Sequence, residues 1–480
     1  MVKTSIKRLP HIVAICAATA LMIYGVWFSF GRHEKTNSAR FDLGNMEQTV
    51  WNIVHGHGFV LTDPYGTATV SRFAFHADPL LIVLAPFYTV WQRPETLLFL
   101  QVLALASGVI AVWLLARALQ LSPWWAAIFS VVYSIHPYLH WALASDVHAV
   151  TFVIPLVLWA AWATLTKRRM VTLCCILLAM LAKEQVGFAM MAFGIYTFWR
   201  QHDRRWGVFL IAIPLTWSLI MVLLVVPHYR DTIQSSSEVY RTALGTSAGE
   251  ILHSTITHPQ QAVRALVTRG NAVVAGQAFL SSGIVGIISP WWMAAVPDMV
   301  INGLSLKPAQ QLMLAHYSSA TIPWMLLSSM VATSWIVAQL ERRRFGKTIS
   351  IIWMGMLLAG SVWSSWWIGP LPFARHDQSR FVTWSNPYAE PVHEWSKRIP
   401  AEAAVSVTNN VGSYFARRQY LYSFPLGITE AQYIVVLEHH ASPVVASDAD
   451  VSARIAELRN DSTWEPLYRQ DDLTILRRRE

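Results

Sequence analysis

Seven ionisable residues stand in short polar interruptions of an otherwise apolar chain. They are Asp42 in Phe41-Asp42-Leu43-Gly44, His76 and Asp78 in His76-Ala77-Asp78-Pro79-Leu80, Asp146 and His148 in Ser145-Asp146-Val147-His148, and the adjacent Lys183 and Glu184. Carboxylates and imidazoles of this kind can move protons, and an ammonium group can stabilise negative charge that develops in a transition state. Asp42 is the candidate general base, or alternatively the holder of a cation. Plainer readings stand beside these. Asp78 before Pro79 fits a helix N-cap with proline at N1. His76 fits an interfacial histidine, Ser145 to His148 a polar turn that reaches water, and Lys183–Glu184 a structural pair that joins two helices.

The elements that position these groups are membrane helices. Of 480 residues, 54% are hydrophobic and 14% charged, against about 25% charged in a typical soluble protein. The 23 Trp and 15 Tyr suit interfacial belts. Apolar spans are expected at 11–30, 95–116, 123–141, 149–166, 170–182, 186–199, 206–226, 272–289, 291–304, 319–339 and 348–368, about eleven in all. The stretch 77–92 reads as a juxtamembrane or re-entrant helix. Lys167-Arg168-Arg169, Arg200 to Arg205 and Glu341 to Arg344 then all fall on one side, which the positive-inside rule makes cytoplasmic. All seven candidates face the other side. The apolar run after Lys3, Lys7 and Arg8 is about 20 residues, long for a signal peptide, so an uncleaved first helix with a cytoplasmic N-terminus is expected. The +9 net charge is accounted for by cytoplasmic loops, with no nucleic acid partner.

Spans 170–182 and 186–199 are short, about 20 Å each as helices. As a hairpin with both basic ends cytoplasmic, its tip at Lys183-Glu184-Gln185 stops below the outer surface, and an ionisable pair at that depth points to function. Two long external loops, 31–94 with a helical patch at Asn45–Val54 before Gly56, and 227–271, add Arg72, Arg230 and Arg241, and His316 precedes a span. Residues 1–369 thus form a multi-span membrane domain. Beyond it, 370–480 reads as a small extracytoplasmic α/β domain, with strands at Ala404–Val407, Tyr433–Leu437 and Thr474–Leu476 and a helix at Val451–Arg459. Cys16, Cys174 and Cys175 lie in apolar segments and predict neither a disulfide nor a thiolate metal site.

No Walker loop, dinucleotide-binding glycine pattern, HExxH or Gly-x-Ser-x-Gly is present. The stretch from His76-Ala77-Asp78-Pro79-Leu80-Leu81 through Arg93-Pro94-Glu95 to Leu114-Leu115-Ala116-Arg117 resembles the loop and second span of the mannosyl- and aminoarabinosyl-transferase branch of C-type-fold (GT-C) membrane glycosyltransferases. More closely, the chain resembles a family of bacterial and archaeal polytopic membrane proteins known as a domain of unknown function. That likeness rests on Phe41-Asp42-Leu43-Gly44 with Gln48 and Trp51-Asn52, His76 with Pro79, Asp146 with His148, Lys183-Glu184, Ser289-Pro290, Pro297, His316-Tyr317, and Ile399-Pro400 through Tyr422-Ser423-Phe424-Pro425.

The resemblance implies transfer of a sugar from a polyprenyl-phosphate donor to an envelope glycan, lipid or protein acceptor, at the external face of the cytoplasmic membrane and with inversion. Asp42 is then the base. Lys183, Arg230, Arg241 and Arg72 are candidate cations for the leaving phosphate, and His76, His148 and His316 are contacts for sugar or phosphate. Asp78, Asp146 and Glu184 complete the expected binding set. Asp42 is followed by Leu43 and Gly44 rather than by a second acid, so the paired-acid motif of better-known transferases is not evident; no cofactor is expected, and a divalent cation stays open beside a metal-free mechanism with Asp42 as the base. The alternatives are a transporter or flippase for a polar lipid or solute, with Lys183–Glu184 as its relay, and a non-catalytic envelope scaffold.

Overall fold

The structure is a computed structural model and describes residues 2–230, 242–340, 342–438 and 446–479. Among the described residues, five helices are long and apolar enough to cross a membrane: Arg8–Glu34, Pro94–Ala118, Arg204–Arg230, Ile322–Leu340 and Gly346–Ile368. The first is the greater part of α1 (Val2–Glu34). It leads through a π-helical turn, Arg40–Gly44, into α2 (Asn45–Val54), the helical patch expected there. The hairpin β1 (Val60–Thr62) and β2 (Thr69–Ser71) follows, then α3 (Leu80–Val90), too short to span, and the long α4 (Pro94–Ala118).

Several of the expected spans are broken or short. The stretch 123–141 divides into α5 (Pro123–Ser134) and α6 (Pro137–Ala144), because Pro137 has no N–H to continue the preceding helix. A 3₁₀ turn, Ala149–Phe152, precedes α7 (Val153–Leu165), and α8 (Arg169–Met180) and α9 (Val186–Arg200) form the expected short hairpin. The expected span 272–289 stays α-helical only to Ser282, where Gly283 turns with φ +109°. The next, 291–304, starts as a 3₁₀ turn at Pro290–Ala295 and is α-helical only over Val296–Leu304. Hydropathy registers apolar composition, whereas glycine and proline decide where a helix can continue. The helix Arg204–Arg230 is α10, with a π turn at Met221–Val225.

Near the C-terminus lies a five-stranded mixed sheet in the order β4-β3-β5-β7-β6, formed by β3 (Val405–Val407), β4 (Leu421–Ser423), β5 (Tyr433–Leu437), β6 (Trp464–Gln470) and β7 (Leu473–Arg478). β3 runs parallel to β4 and β5, and β7 is antiparallel to β5 and β6. The unbroken apolar run Tyr433–Leu437 has a direct cause. Val435 and Leu437 pack on one face with Val405, Trp395 and Ile475, while Ile434 and Val436 pack on the other with Ile455 and Leu458 of helix Asp448–Asn460. A strand buried on both faces has no polar alternation to show.

This sheet region grips the segment after α1. The fully buried Arg40 donates to Leu421 O at 2.5 Å and to Thr62 O at 3.4 Å. Phe41 N donates to Asn409 Oδ1 (3.0 Å), Ser413 Oγ to Ser38 O (2.8 Å), and Gln48 Nε2 to Gln419 O (3.0 Å). Gly412 permits the approach, since a Cβ there would sit 2.6 Å from Arg40 Cβ.

Candidate functional site

The turn fixed in this way presents Asp42 to an open cavity of about 190 Å³. Six stretches line it, the β1–β2 loop with Tyr65 among them. Asp42 comes from the π turn, and Arg72, His76 and Asp78 come from the segment between β2 and α3. His148 comes from the turn before α7, Lys183 from the α8–α9 tip, and Lys307 and His316 from the segment after Val296–Leu304.

On one wall, Asp42 is 44% exposed at its side chain and its Oδ1 lies 3.4 Å from His148 Nε2. The His148 ring stacks on His316 with centroids 3.6 Å apart and planes 19° off parallel. Burial, and then the neighbouring His148, Lys183, His76 and Lys307, push His316 well below the ordinary histidine value, so this ring is neutral near pH 7. Close stacking of the two rings therefore brings no pair of like charges together. Beside His316, burial with the nearby Asp42 carboxylate pushes the Tyr317 hydroxyl up to about 12.

His148 is held by its backbone. Gln101 of α4, fully buried among apolar neighbours, accepts from His148 N (3.1 Å) and donates to Asp146 O (2.9 Å). Asp146 itself does not line the cavity. Its carboxylate pairs with Arg32 at the end of α1 (3.1 Å) and accepts from Ser38 Oγ (3.0 Å) and Ala39 N (3.4 Å). Burial pushes this carboxyl above the ordinary range, against the pull of Arg32. Asp146 thus ties α1, the Asp42 turn and the His148 turn together, and it does so with φ +61°, a conformation aspartate tolerates.

The other wall is cationic. Lys183 enters no ion pair among the described residues and faces the cavity. The neighbouring carboxylate turns away from it: Glu184 accepts from Ala77 N (3.0 Å) and contacts His76 Nδ1 (3.2 Å), which joins the α8–α9 tip to the segment before α3. Asp78 is not a helix cap. Its carboxylate is bound by the Arg72 guanidinium, Nη2 to Oδ2 at 2.6 Å and Nε to Oδ1 at 3.0 Å, with both side chains nearly excluded from solvent. A buried guanidinium outcompetes a helix N–H for a carboxylate.

Asp42, His76, Asp78, His148, Lys183 and His316, all picked from sequence, therefore share one cavity, and Arg72 joins them. Glu184 and Asp146 brace its walls. Arg230 lies behind it, directed at the backbone carbonyls of Ala74 and Phe75 at 3.4 Å. Arg241 falls outside the described residues. Lys307, Gln310 and Tyr65 line the cavity without having been singled out. Lys307 carried a usable signal, because it shares the polar stretch between two expected spans with His316. No group of three His, Cys, Asp or Glu among the described residues is placed to hold a metal ion.

The family described as Predicted membrane protein (DUF2079) matches residues 32–475. The chain belongs to that family. No curated protein matches this DUF2079 member. Among solved structures, ArnT from Cupriavidus metallidurans bound to undecaprenyl phosphate superposes with a TM-score of 0.52 at 12% identity, covering 96% of this chain and 97% of that one. The archaeal oligosaccharyltransferase AglB from Archaeoglobus fulgidus, in complex with an inhibitory peptide and a dolichol-phosphate, gives 0.45 at 13% identity, covering 92% of this chain and 71% of that one. Both are GT-C glycosyltransferases. At these identities the likeness to ArnT establishes a shared fold.

Proposed function

We propose that this DUF2079 protein is a membrane glycosyltransferase that moves a sugar from a polyprenyl-phosphate donor to an envelope acceptor, at the external face of the cytoplasmic membrane. One observation carries the reading: a single cavity holds a solvent-accessible carboxylate, Asp42, in contact with an imidazole, together with two lysines, Lys183 and Lys307. The GT-C fold supports it, as does the undecaprenyl phosphate that ArnT binds within that fold.

In this mechanism Asp42 takes the proton from an acceptor hydroxyl while that oxygen bonds to the anomeric carbon. The bond from that carbon to the phosphate oxygen breaks on the opposite face, so the configuration inverts. The electron pair leaves on the lipid phosphate, whose growing charge faces Lys183 and Lys307. Arg72 contributes less, because Asp78 already neutralises it. His148 orients Asp42, and no step is assigned to a metal ion. The C-terminal sheet region holds the catalytic turn from behind.

The test is mass spectrometry of envelope glycolipids, glycans and glycoproteins from deletion cells that carry either the wild-type protein or Asp42→Asn at equal membrane abundance. Loss of a sugar-sized mass in the mutant, with transfer reduced by about 10²–10⁴-fold, supports the reading and identifies the sugar and the acceptor. Identical profiles in deletion, mutant and wild-type cells would overturn it in favour of transport or scaffolding.

A further inference from the structure

A second polar cavity, of about 120 Å³, lies at the opposite ends of α8 and α9 from Lys183, roughly 18 Å away along the 12-residue α8. It sits between the turn that joins α7 to α8 and the turn that joins α9 to α10. Its floor carries the buried hydroxyls of Thr164, Thr172 and Thr197. Thr197 spends its proton on Phe193 O at 2.8 Å. The Thr164 and Thr172 oxygens are 3.4 Å apart and share one proton, which leaves the other hydroxyl free to donate into the cavity.

The charges there do not cancel. Asp203 is taken up by the Arg169 guanidinium and by Trp206 N at 3.2 Å. Lys167 remains as a cation on the cavity with no ion pair among the described residues, and exposed Arg200, Arg204 and Arg205 surround the second turn. Directly beside this polar opening the surface is apolar: Met170 is 68% exposed, Trp199 65% and Phe209 41%. A ligand that satisfies both surfaces has an anionic head and an apolar body.

From this geometry we infer that the cavity binds a phosphate group, with the Thr164–Thr172 hydroxyl pair donating to its oxygens and Lys167 neutralising it. The phosphate is presented by the headgroup of an anionic phospholipid whose chains lie on the Met170, Trp199 and Phe209 flank, or it is taken up as the free anion. Basic pockets between membrane helices are suited to such headgroups. This site is separate from the Asp42 cavity and does not depend on the transferase reading.

The experiment uses the purified full-length protein in detergent, with native mass spectrometry and thermal unfolding in the presence of phosphatidylglycerol, phosphatidylcholine or inorganic phosphate. Retained phosphatidylglycerol adducts and a raised Tm, with no such effect of phosphatidylcholine, are expected. Lys167→Asn should weaken phosphatidylglycerol binding about fivefold, the usual share of one basic residue near a headgroup. Lys167 holds φ +58°, a conformation asparagine adopts readily, so the loss is not one of folding. Thr172→Val should weaken binding as well, and Arg343→Gln, in the remote basic cluster, should not. A shift with inorganic phosphate that Lys167→Asn also abolishes identifies the free anion as a ligand of the same site, whereas a shift with phosphatidylglycerol alone identifies the lipid. Equal responses of wild type and Lys167→Asn to both phosphatidylglycerol and inorganic phosphate would overturn the proposal. So would an equal loss on Arg343→Gln, which marks diffuse attraction to positive charge.

Discussion

Helices α8 and α9 carry a polar cavity at each end, and the two are built in opposite ways. The one near Lys167 is local, made by residues 164–206 around two tight turns. The one near Lys183 draws on residues from 41 to 317, and segments outside its lining hold it in place. Asp42 depends on Arg40 reaching Leu421, and His148 depends on Gln101 and Asp146. A local pocket needs only its loops to close. A long-range cavity needs the whole chain folded first, and it gains fixed geometry in return, which is what a reaction with aligned groups requires.

The largest effect that separates the two ends is chemical. Asp42→Asn should abolish transfer in the envelope profiles while leaving phosphatidylglycerol adducts at their wild-type level. Loss of the adducts as well would show that the ends are coupled. Lys183→Met comes next, with transfer reduced by about 10²–10³-fold, the usual cost of removing one group that stabilises developing negative charge. An unchanged turnover number in vesicles supplied with donor would remove Lys183 from the reaction.

A third effect is on folding. Asp146→Asn leaves Arg32 without its carboxylate (3.1 Å), and breaking such a pair where both groups are largely buried costs on the order of 3 kcal/mol. A clear fall in Tm is expected, with Lys167→Asn leaving Tm in lipid-free detergent within a degree or two. Equal Tm values for wild type and Asp146→Asn would show that the long-range braces are not what holds this end.

The last effect is a pH slope. Glu47 on α2 is fully buried, and burial pushes its carboxyl up to about 8 against the opposing pull of Arg417 and a hydrogen bond from Tyr88 (2.8 Å), with Glu95 also nearby. A carboxyl raised above its unfolded value of 4.5 contributes fully below that pH, and its contribution falls away as pH rises through about 8. Wild-type Tm should therefore drop between these limits relative to Glu47→Gln, which has no proton to lose. Parallel Tm curves for the two proteins would show that Glu47 ionises freely.

Much of the fold was legible in the chain where one stretch decides its own structure. Residues 45–54 form the expected helix, and Tyr433–Leu437 the expected buried strand. The number of long helices was not, because proline and glycine break apolar runs at 137 and 283 that hydropathy alone joins. Asp42, His148, Lys183 and His316 could be picked out because polar groups at the ends of apolar segments are costly to retain. Tyr65 could not, since nothing in its local sequence distinguishes it from an ordinary loop residue.

By itself the sequence determined that this chain lives in a membrane, where its polar residues interrupt the apolar runs, and which of them merit suspicion. Those properties follow from composition and order along the chain. Tertiary structure alone decided that Asp146 and Glu184 are braces, that Asp78 serves Arg72, and that Asp42 meets His148 on one wall of a cavity shared with Lys183. A carboxylate's role depends on which donor reaches it first, and among residues more than a hundred positions apart only the packed chain settles that.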